Sequence, residues 1–223
     1  MSSVSYLITT HNEDVSQLLG IICDNMYSDD EVIILDDYST NKNTLNALDK
    51  YAYMMTNVKV YKHRLDNDYG NHKNFGLSKS KGDYIWQIDG DELPPISLIG
   101  DEIKDLLDSN KDIEAFAIPR FNIVQGCKPE HAAMYGWKLE KIHGDDVINW
   151  SNNYDYQWRI FKRCDHIKYH LRLHEVIQGY QSYTYLPGEE QWALVHRKTI
   201  GTQLATNKRY NAEWSEIENR GHN

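Results

Sequence analysis

Cysteine is scarce in this chain: Cys23, Cys127 and Cys164 are the three thiols among 223 residues, and they lie far apart. An odd number of widely spaced thiols builds neither a disulfide framework nor a paired-cysteine zinc site, and it suits a reducing compartment, the cytoplasm. Proline is rare too, at five residues, and no Pro- or Gly-rich linker, low-complexity tract or internal repeat divides the sequence. No apolar run approaches the roughly 18 residues of a transmembrane helix. No basic segment followed by an apolar stretch precedes the first strand-like residues. Positive charge is also in short supply, with 24 Lys and Arg against 33 Asp and Glu for a formal charge of −9. That balance argues against nucleic acid as a partner, because nucleic-acid binders carry a basic stripe. An acidic chain that handles a phosphate ligand needs a bridging cation or a local basic cluster.

What is present is a sequence of ordinary globular texture, 40% hydrophobic, long enough to bury one core. Val4 to Thr10 reads as a strand, and Asn12 stands where it would cap a helix with Val15, Leu18, Leu19, Ile22 and Met26 on one face. Glu31 to Leu35 is a second apolar strand, followed by a helix with Leu45, Leu48, Ala52 and Met55 on one side. Val58 to Tyr61 gives a third strand, residues 71–79 a helix, Tyr84 to Ile88 a fourth strand, and Ile99, Ile103, Leu106 and Leu107 the stripe of a further helix. Strands alternating with helices predict an α/β fold with a mainly parallel sheet flanked by helices. The whole chain, 1–223, is expected to form a single domain whose texture changes near residue 120.

In sheets of this kind ligands sit beyond the carboxyl ends of the strands. Three polar clusters fall there: Thr9-Thr10-His11-Asn12-Glu13, Asp36-Asp37-Tyr38-Ser39-Thr40 and Asp89-Gly90-Asp91-Glu92. In Asp89-Gly90-Asp91, two carboxylates one residue apart leave a strand with the same side-chain direction, and Gly90 lets the backbone turn and a ligand approach. Hard cations such as Mg²⁺ or Mn²⁺ favour such oxygen pairs. A solvated acidic turn is the plainer reading of the same three residues.

These clusters, together with Lys73-Asn74-Phe75-Gly76-Leu77 and the Lys81-Gly82-Asp83-Tyr84 that follows, resemble the family 2 glycosyltransferases of the GT-A fold over residues 4–120. Gln157-Trp158-Arg159-Ile160-Phe161 and Leu173-His174-Glu175-Val176 look like the branch that includes lipopolysaccharide-core and surface-glycan glucosyltransferases. The resemblance implies a GT-A, Rossmann-like sheet with a nucleotide-sugar-binding part in 1–120 and an acceptor-binding part in 121–223. It implies an inverting transfer from a nucleotide-diphospho-sugar, a UDP-sugar first, to a glycan, lipid-linked or protein-linked acceptor, in the presence of Mn²⁺ or Mg²⁺. Asp37 would meet the base or ribose of the donor, with Thr9, His11, Glu13 and Asp36 around it. Lys73, Asn74 and Gly90 would lie beside the donor. Asp91 would ligate the metal, Asp89 would reach the metal through water or the donor ribose, and His196 would complete the metal site, while Arg197 and Lys198 hold the diphosphate. Lys198 to Arg209 reads either as a lid or as a plain polar surface segment.

An inverting transfer needs a base opposite the leaving group. By resemblance Glu175 is the first candidate and Asp155 the second, with an ion pair from Glu175 to Arg172 or Arg159 as the structural alternative. Tyr135, Trp137, Trp150, Tyr154, Tyr156 and Trp158 offer aromatic faces for an acceptor sugar or for a core. The chain lacks the extended C-terminal parts of processive members, which implies a single transfer. Two rivals remain open at this level. Asp89 and Asp91 also resemble the first motif of haloacid-dehalogenase-like phosphatases, with Gly144-Asp145-Asp146 as a late acidic pair; the other is a non-catalytic sugar-binding relative of the transferase fold.

Overall fold

The computed structural model describes residues 1–150 and 154–208. In chain order the elements are β1 (Val4–Thr10), α1 (Ser16–Asn25), β2 (Glu31–Asp36), α2 (Lys42–Met54), β3 (Val58–Lys62), α3 (Tyr69–Lys79), β4 (Tyr84–Asp89), β5 (Glu92–Leu93), α4 (Asp101–Ser109), β6 (Ala115–Gln125), α5 (Pro129–Tyr135), β7 (Leu139–Ile142), β8 (Asp145–Ile148), β9 (Asp155–Lys162), β10 (Lys168–His170), β11 (Val176–Gln178), β12 (Tyr183–Tyr185) and β13 (Leu194–Thr199). They fall into two compact units, residues 1–120 with 156–195, and residues 121–155 with the chain from 196 onward.

In the first unit the sheet runs β3-β2-β1-β4-β9-β6. Strands β1 to β4 are parallel, with Ile8 opposite both Ile34 and Ile88, and β9 joins β4 antiparallel, with Phe161 opposite Ile85. Alternate residues feed two separate cores, as strand geometry requires. Tyr6, Ile8, Val32, Ile34, Trp86 and Ile88 pack with α1, α2 and α4, whereas Leu7, Ile33, Leu35, Ile85 and Phe161 pack on the α3 side. Burial of both faces explains why these strands read as near-continuous apolar runs. Helix α3 lies so close to β1 that a Cβ on Gly76 would collide with Leu7.

Three sequence expectations shift in position. Asn12 has a positive φ of 69° and does not cap α1, which begins at Ser16. Its side-chain oxygen instead accepts the backbone N–H groups of Thr40 (2.6 Å) and Asn41 (2.8 Å), tying the first loop to the second. Helix α2 buries Thr44, Ala47, Leu48 and Tyr51, with Ala52 exposed. The buried face is turned because the Thr44 hydroxyl donates to the carbonyl of Glu13 at 2.6 Å, a contact that hydrophobic spacing does not register. Ile99 is buried but precedes α4.

The second unit is built on a hairpin, β7 and β8, whose two-residue turn His143-Gly144 has both φ values positive, at 52° and 89°. That is the turn whose twist matches its flanking strands. The far half of β6 pairs β8, with Asn122 opposite Ile148, and a small core gathers Val124, Cys127 and Ile148 with Trp137, Leu139 and Ile200. Residues 200–208 are helical. No described helix is long and apolar enough to cross a membrane.

Candidate active site

The carboxyl ends of β1, β2 and β4 bring all three polar clusters together in the first unit. Thr10 donates from its hydroxyl to Glu13 (2.8 Å), and the backbone N–H of His11 bonds the same carboxylate. His11 Nδ1 lies 2.6 Å from the carbonyl of Asp37 and 3.7 Å from its carboxylate. Asp37 Oδ1 accepts the backbone N–H of Leu65 at 3.1 Å, so one carboxylate oxygen is spoken for and His11 flanks the other. Asp36 is fully buried; its Oδ1 accepts the Ser39 N–H at 2.8 Å, shaping the turn that presents Asp37. Thr9, His11, Glu13 and Asp37 therefore lie on adjoining loops, with Asp36 buried beneath them.

Beside it stands a chain of charges that alternate in sign. Glu175 Oε1 lies 2.6 Å from Lys73 Nζ, and Lys73 lies 3.3 Å from Asp89 Oδ1. Asp89 Oδ2 meets Arg159 Nη2 at 2.6 Å, the same nitrogen meets Glu92 Oε1 at 2.7 Å, and Glu92 Oε1 meets Arg120 Nη1 at 3.1 Å. Thr9 Oγ1 (2.9 Å) and Gln87 Nε2 (2.8 Å) also donate to Asp89 Oδ1. Burial alone would raise the Asp89 carboxyl, but the charges of Arg159 and Lys73 and these hydrogen bonds outweigh it and hold it well below the usual carboxylate range. Burial would likewise lower the Arg159 guanidinium, and the charges of Asp89 and Glu92 keep it firmly protonated.

The two carboxylates of Asp89-Gly90-Asp91 are thus unequal. Both oxygens of Asp89 are engaged by cations and donors, which makes it a poor direct metal ligand, and Asp91 is half-buried. Among the described residues no group of three or more His, Cys, Asp and Glu side chains stands ready as a metal site. A cation here would need oxygens from a ligand to complete its shell. A Cβ on Gly90 would come within 3.0–3.1 Å of Thr10 and of the Thr9 carbonyl, so its lack of a side chain permits the close turn. Asn74 bonds the backbone of Tyr169 through both its oxygen (2.9 Å) and its nitrogen (2.8 Å), which fastens α3 to β10. Glu175 takes Lys73 as its partner, rather than the Arg172 or Arg159 that sequence suggested.

The remaining candidates belong to the second unit. His196 Nδ1 lies 2.8 Å from Asn122 Oδ1, and Asn122 donates to Asp155 Oδ2 at 2.8 Å, so these three residues form one hydrogen-bonded line. Arg197 makes a two-pronged pair with Asp145 at 2.9–3.0 Å, and Asp146 pairs with Lys141 at 2.6 Å. Both members of the late acidic pair thus serve a hairpin and its neighbour. Lys198 is half-buried at the end of β13; Arg209, the end of the suggested lid, lies outside the described residues. The aromatic residues pair among themselves: Tyr135 stacks on Trp137 at 4.7 Å and Trp150 meets Tyr154 edge-on at 5.0 Å. In the first unit Tyr156 meets Tyr185 at 4.9 Å and Trp158 meets Tyr180 at 5.2 Å.

Sequence reasoning gave no site role to Glu92, Gln87 or Arg120, and it offered Arg159 only as an ion partner of Glu175. A signal existed for two of them: Gln87 interrupts the apolar Tyr84 to Ile88, and Arg159 immediately precedes the apolar Ile160-Phe161.

Against this geometry, the sequence profile described as Glycosyl transferase family 2 matches residues 5–169. A search of curated proteins finds no match. Among solved structures, TarS 1-349 of S. aureus in complex with UDP-GlcNAc superposes with a TM-score of 0.60 at 16% identity, covering 88% of this chain and 58% of that one. The UDP complex of the same protein gives 0.57 at 16% identity, covering 89% and 60%. The chain thus spans about three-fifths of these neighbours, and they share its GT-A fold.

Proposed function

This chain belongs to glycosyl transferase family 2, and from that premise we propose that it moves a sugar from a nucleoside diphosphate donor, a UDP-sugar first, to a hydroxyl of a glycan, lipid-linked or protein-linked acceptor, with inversion. The observation that carries this reading is the convergence of the Asp37 loop and the alternating charge chain at the carboxyl ends of β1, β2 and β4. The TarS complex with UDP-GlcNAc supports the choice of donor class.

In this reading Asp37, with one oxygen held by Leu65 and His11 at its side, accepts hydrogen bonds from the base or ribose, and Thr9, Glu13 and Asp36 hold the loops around it. Lys73 and Asn74 stand beside the donor, with Lys73 as the positive charge that links Asp89 to Glu175. Asp91 would hold Mn²⁺ or Mg²⁺ together with oxygens of the diphosphate, and the bound cation would supply neutralising charge as the glycosidic bond breaks. Glu175, kept oriented by Lys73, takes the proton from the attacking hydroxyl. Asp155, His196, Arg197 and Lys198 are second-choice participants, because the partners described above already engage the first three.

Calorimetric titration of UDP, GDP and TDP with and without Mn²⁺, on the wild type and on Asp91→Ala, tests the reading. The expected result is one nucleotide bound more tightly with metal, with that gain lost in the variant. Binding of none of the three under either condition would refute it.

A further inference from the structure

The alternating charge chain contains a feature that the transfer reaction does not itself use. Arg159 is buried on β9, yet its guanidinium is spent within the protein: Nη2 bonds both Asp89 and Glu92, and Nη1 bonds the side-chain oxygen of Gln87. Its Nε–H has no hydrogen-bond partner among the described residues. Glu92, fully buried at β5, closes the same knot from the other side, because its Oε2 accepts the backbone N–H of Asp89 at 3.1 Å. One carboxylate therefore grips the main chain where the Asp89-Gly90-Asp91 turn begins, and through Arg159 it also grips the side chain of Asp89. Ion pairs buried to this degree add little net stability compared with apolar packing, so their presence at a turn calls for a role beyond cohesion. A turn that must present a carboxylate within a fraction of an ångström needs its neighbours locked in this way.

We propose that Arg159 and Glu92 are positioning residues that lock the Asp89-Gly90-Asp91 turn, and that this lock sets how strongly the protein grips the diphosphate part of its ligand. The inference rests on the nucleotide-sugar reading above. Neither side chain meets the ligand: Arg159 acts through Asp89, and Glu92 acts through the backbone at residue 89. Supporting groups of this kind typically change ligand or metal affinity by about 10–100-fold when removed.

The test compares uridine with UDP by calorimetry, in Mn²⁺, on the full chain and on Arg159→Met, Arg159→Lys and Glu92→Gln. The ratio of the two affinities isolates the diphosphate contribution. Arg159→Met is expected to leave uridine binding within about twofold while the ratio falls about tenfold or more. Arg159→Lys, which keeps the charge but not the fork, should recover part of the ratio, and Glu92→Gln should lower it to an intermediate value. If Arg159→Met does not fold, the other two variants carry the same comparison. A merely structural residue would reduce the fraction of binding-competent protein and the thermal midpoint and leave the ratio unchanged, and that outcome overturns the inference alone. Wild-type protein that binds neither ligand would overturn the functional reading and this inference with it.

Discussion

The two ends of the parallel strands in the first unit carry the same chemistry to opposite effect. At the amino ends, Lys104 of α4 is buried against Asp30, reaches the carbonyl of Ser2 at 2.8 Å, and stands 3.5 Å from Asp29. Asp30 also accepts the N–H groups of Val4 (2.7 Å) and Tyr27 (3.0 Å), so this pair staples β1, the approach to β2 and α4 into one closed knot. At the carboxyl ends, Lys73 joins Asp89 to Glu175, but those carboxylates keep 31% and 17% of their side-chain surface open. Both knots are lysine–carboxylate pairs between residues far apart in sequence. The open one lies where ligands bind in α/β sheets, and the closed one lies where loops only reverse the chain. Asp30, the carboxylate that Lys104 meets most closely, is fully buried, whereas both carboxylates that Lys73 meets keep part of their surface open.

Substitutions can break that contrast. The largest effect is expected at the open end: Glu175→Gln keeps an oxygen for Lys73 but removes the proton acceptor, and sugar transfer should fall by about 10²–10⁴-fold. Nucleotide affinity and thermal midpoint should stay near wild type, as read by steady-state kinetics beside calorimetry. Retained transfer would remove Glu175 as the base. At the closed end, Lys104→Met strands the buried Asp30 carboxylate and should cost about 3–5 kcal/mol in urea unfolding, with turnover per folded molecule unchanged. Adding Asp30→Asn should recover only part of that loss, because it removes the stranded charge but turns an amide NH2 toward one of the two backbone N–H groups that Asp30 accepts. Loss of turnover without loss of stability in Lys104→Met would erase the distinction between the two ends.

A smaller effect sharpens how the open end is held. Gly70, in the first turn of α3, faces the loop that carries Glu175, and a Cβ there would lie 2.5 Å from the carbonyl oxygen of Leu171. Gly70→Ala should push the loop outward and lower kcat by about 10–100-fold while uridine binding, set by the Asp37 side, changes little. Equal losses in both would mean that the loop and the nucleotide surface move as one.

Much of the open end was legible in the sequence because its parts are local. The β-α alternation, the strand ends at Thr10, Asp36 and Asp89, and the Asp89-Gly90-Asp91 turn each depend on residues within one or two turns of each other. What joins them is not local: Arg159 lies 70 residues from Asp89, and Glu175 lies 102 from Lys73. Neither pairing leaves a periodic trace, so sequence named Glu175 but offered Arg172 or Arg159 as its partner. Lys104 illustrates the same limit at the closed end. It sits on α4 between the apolar Ile103 and Leu107 and is as buried as they are, because Asp30 waits 74 residues away. The start of α1 shifted for a third reason, since Asn12 spends its side chain across to the second loop instead of along its own helix.

The smallest expected effect is a pH dependence confined to the open end. His72, buried on α3, has Nδ1 3.1 Å from Nδ1 of His63, which stacks on Phe75 at 4.0 Å. Burial is the main reason its imidazole is pushed below the ordinary histidine range, with a hydrogen bond to the Arg64 backbone and the charge of Asp37 opposing, and His63 and Lys73 reinforcing. A base whose folded-state pKa is depressed is more protonated in the unfolded chain, so its contribution is intact above about pH 6.5 and is lost as pH falls through that range toward the folded value. At the closed end the depressed groups are carboxyls, Asp83, lowered first by the Ser3 backbone N–H, and Asp108, lowered first by the Ser2 hydroxyl, and their loss begins only near or below about pH 4. Thermal midpoints between pH 7.5 and 5.5 should therefore fall by a few degrees in the wild type, and His72→Asn should flatten the slope across this window. Lys104→Met should lower the whole curve without changing its slope. A wild-type slope that survives in His72→Asn would move the titration elsewhere and leave the two ends alike in this range.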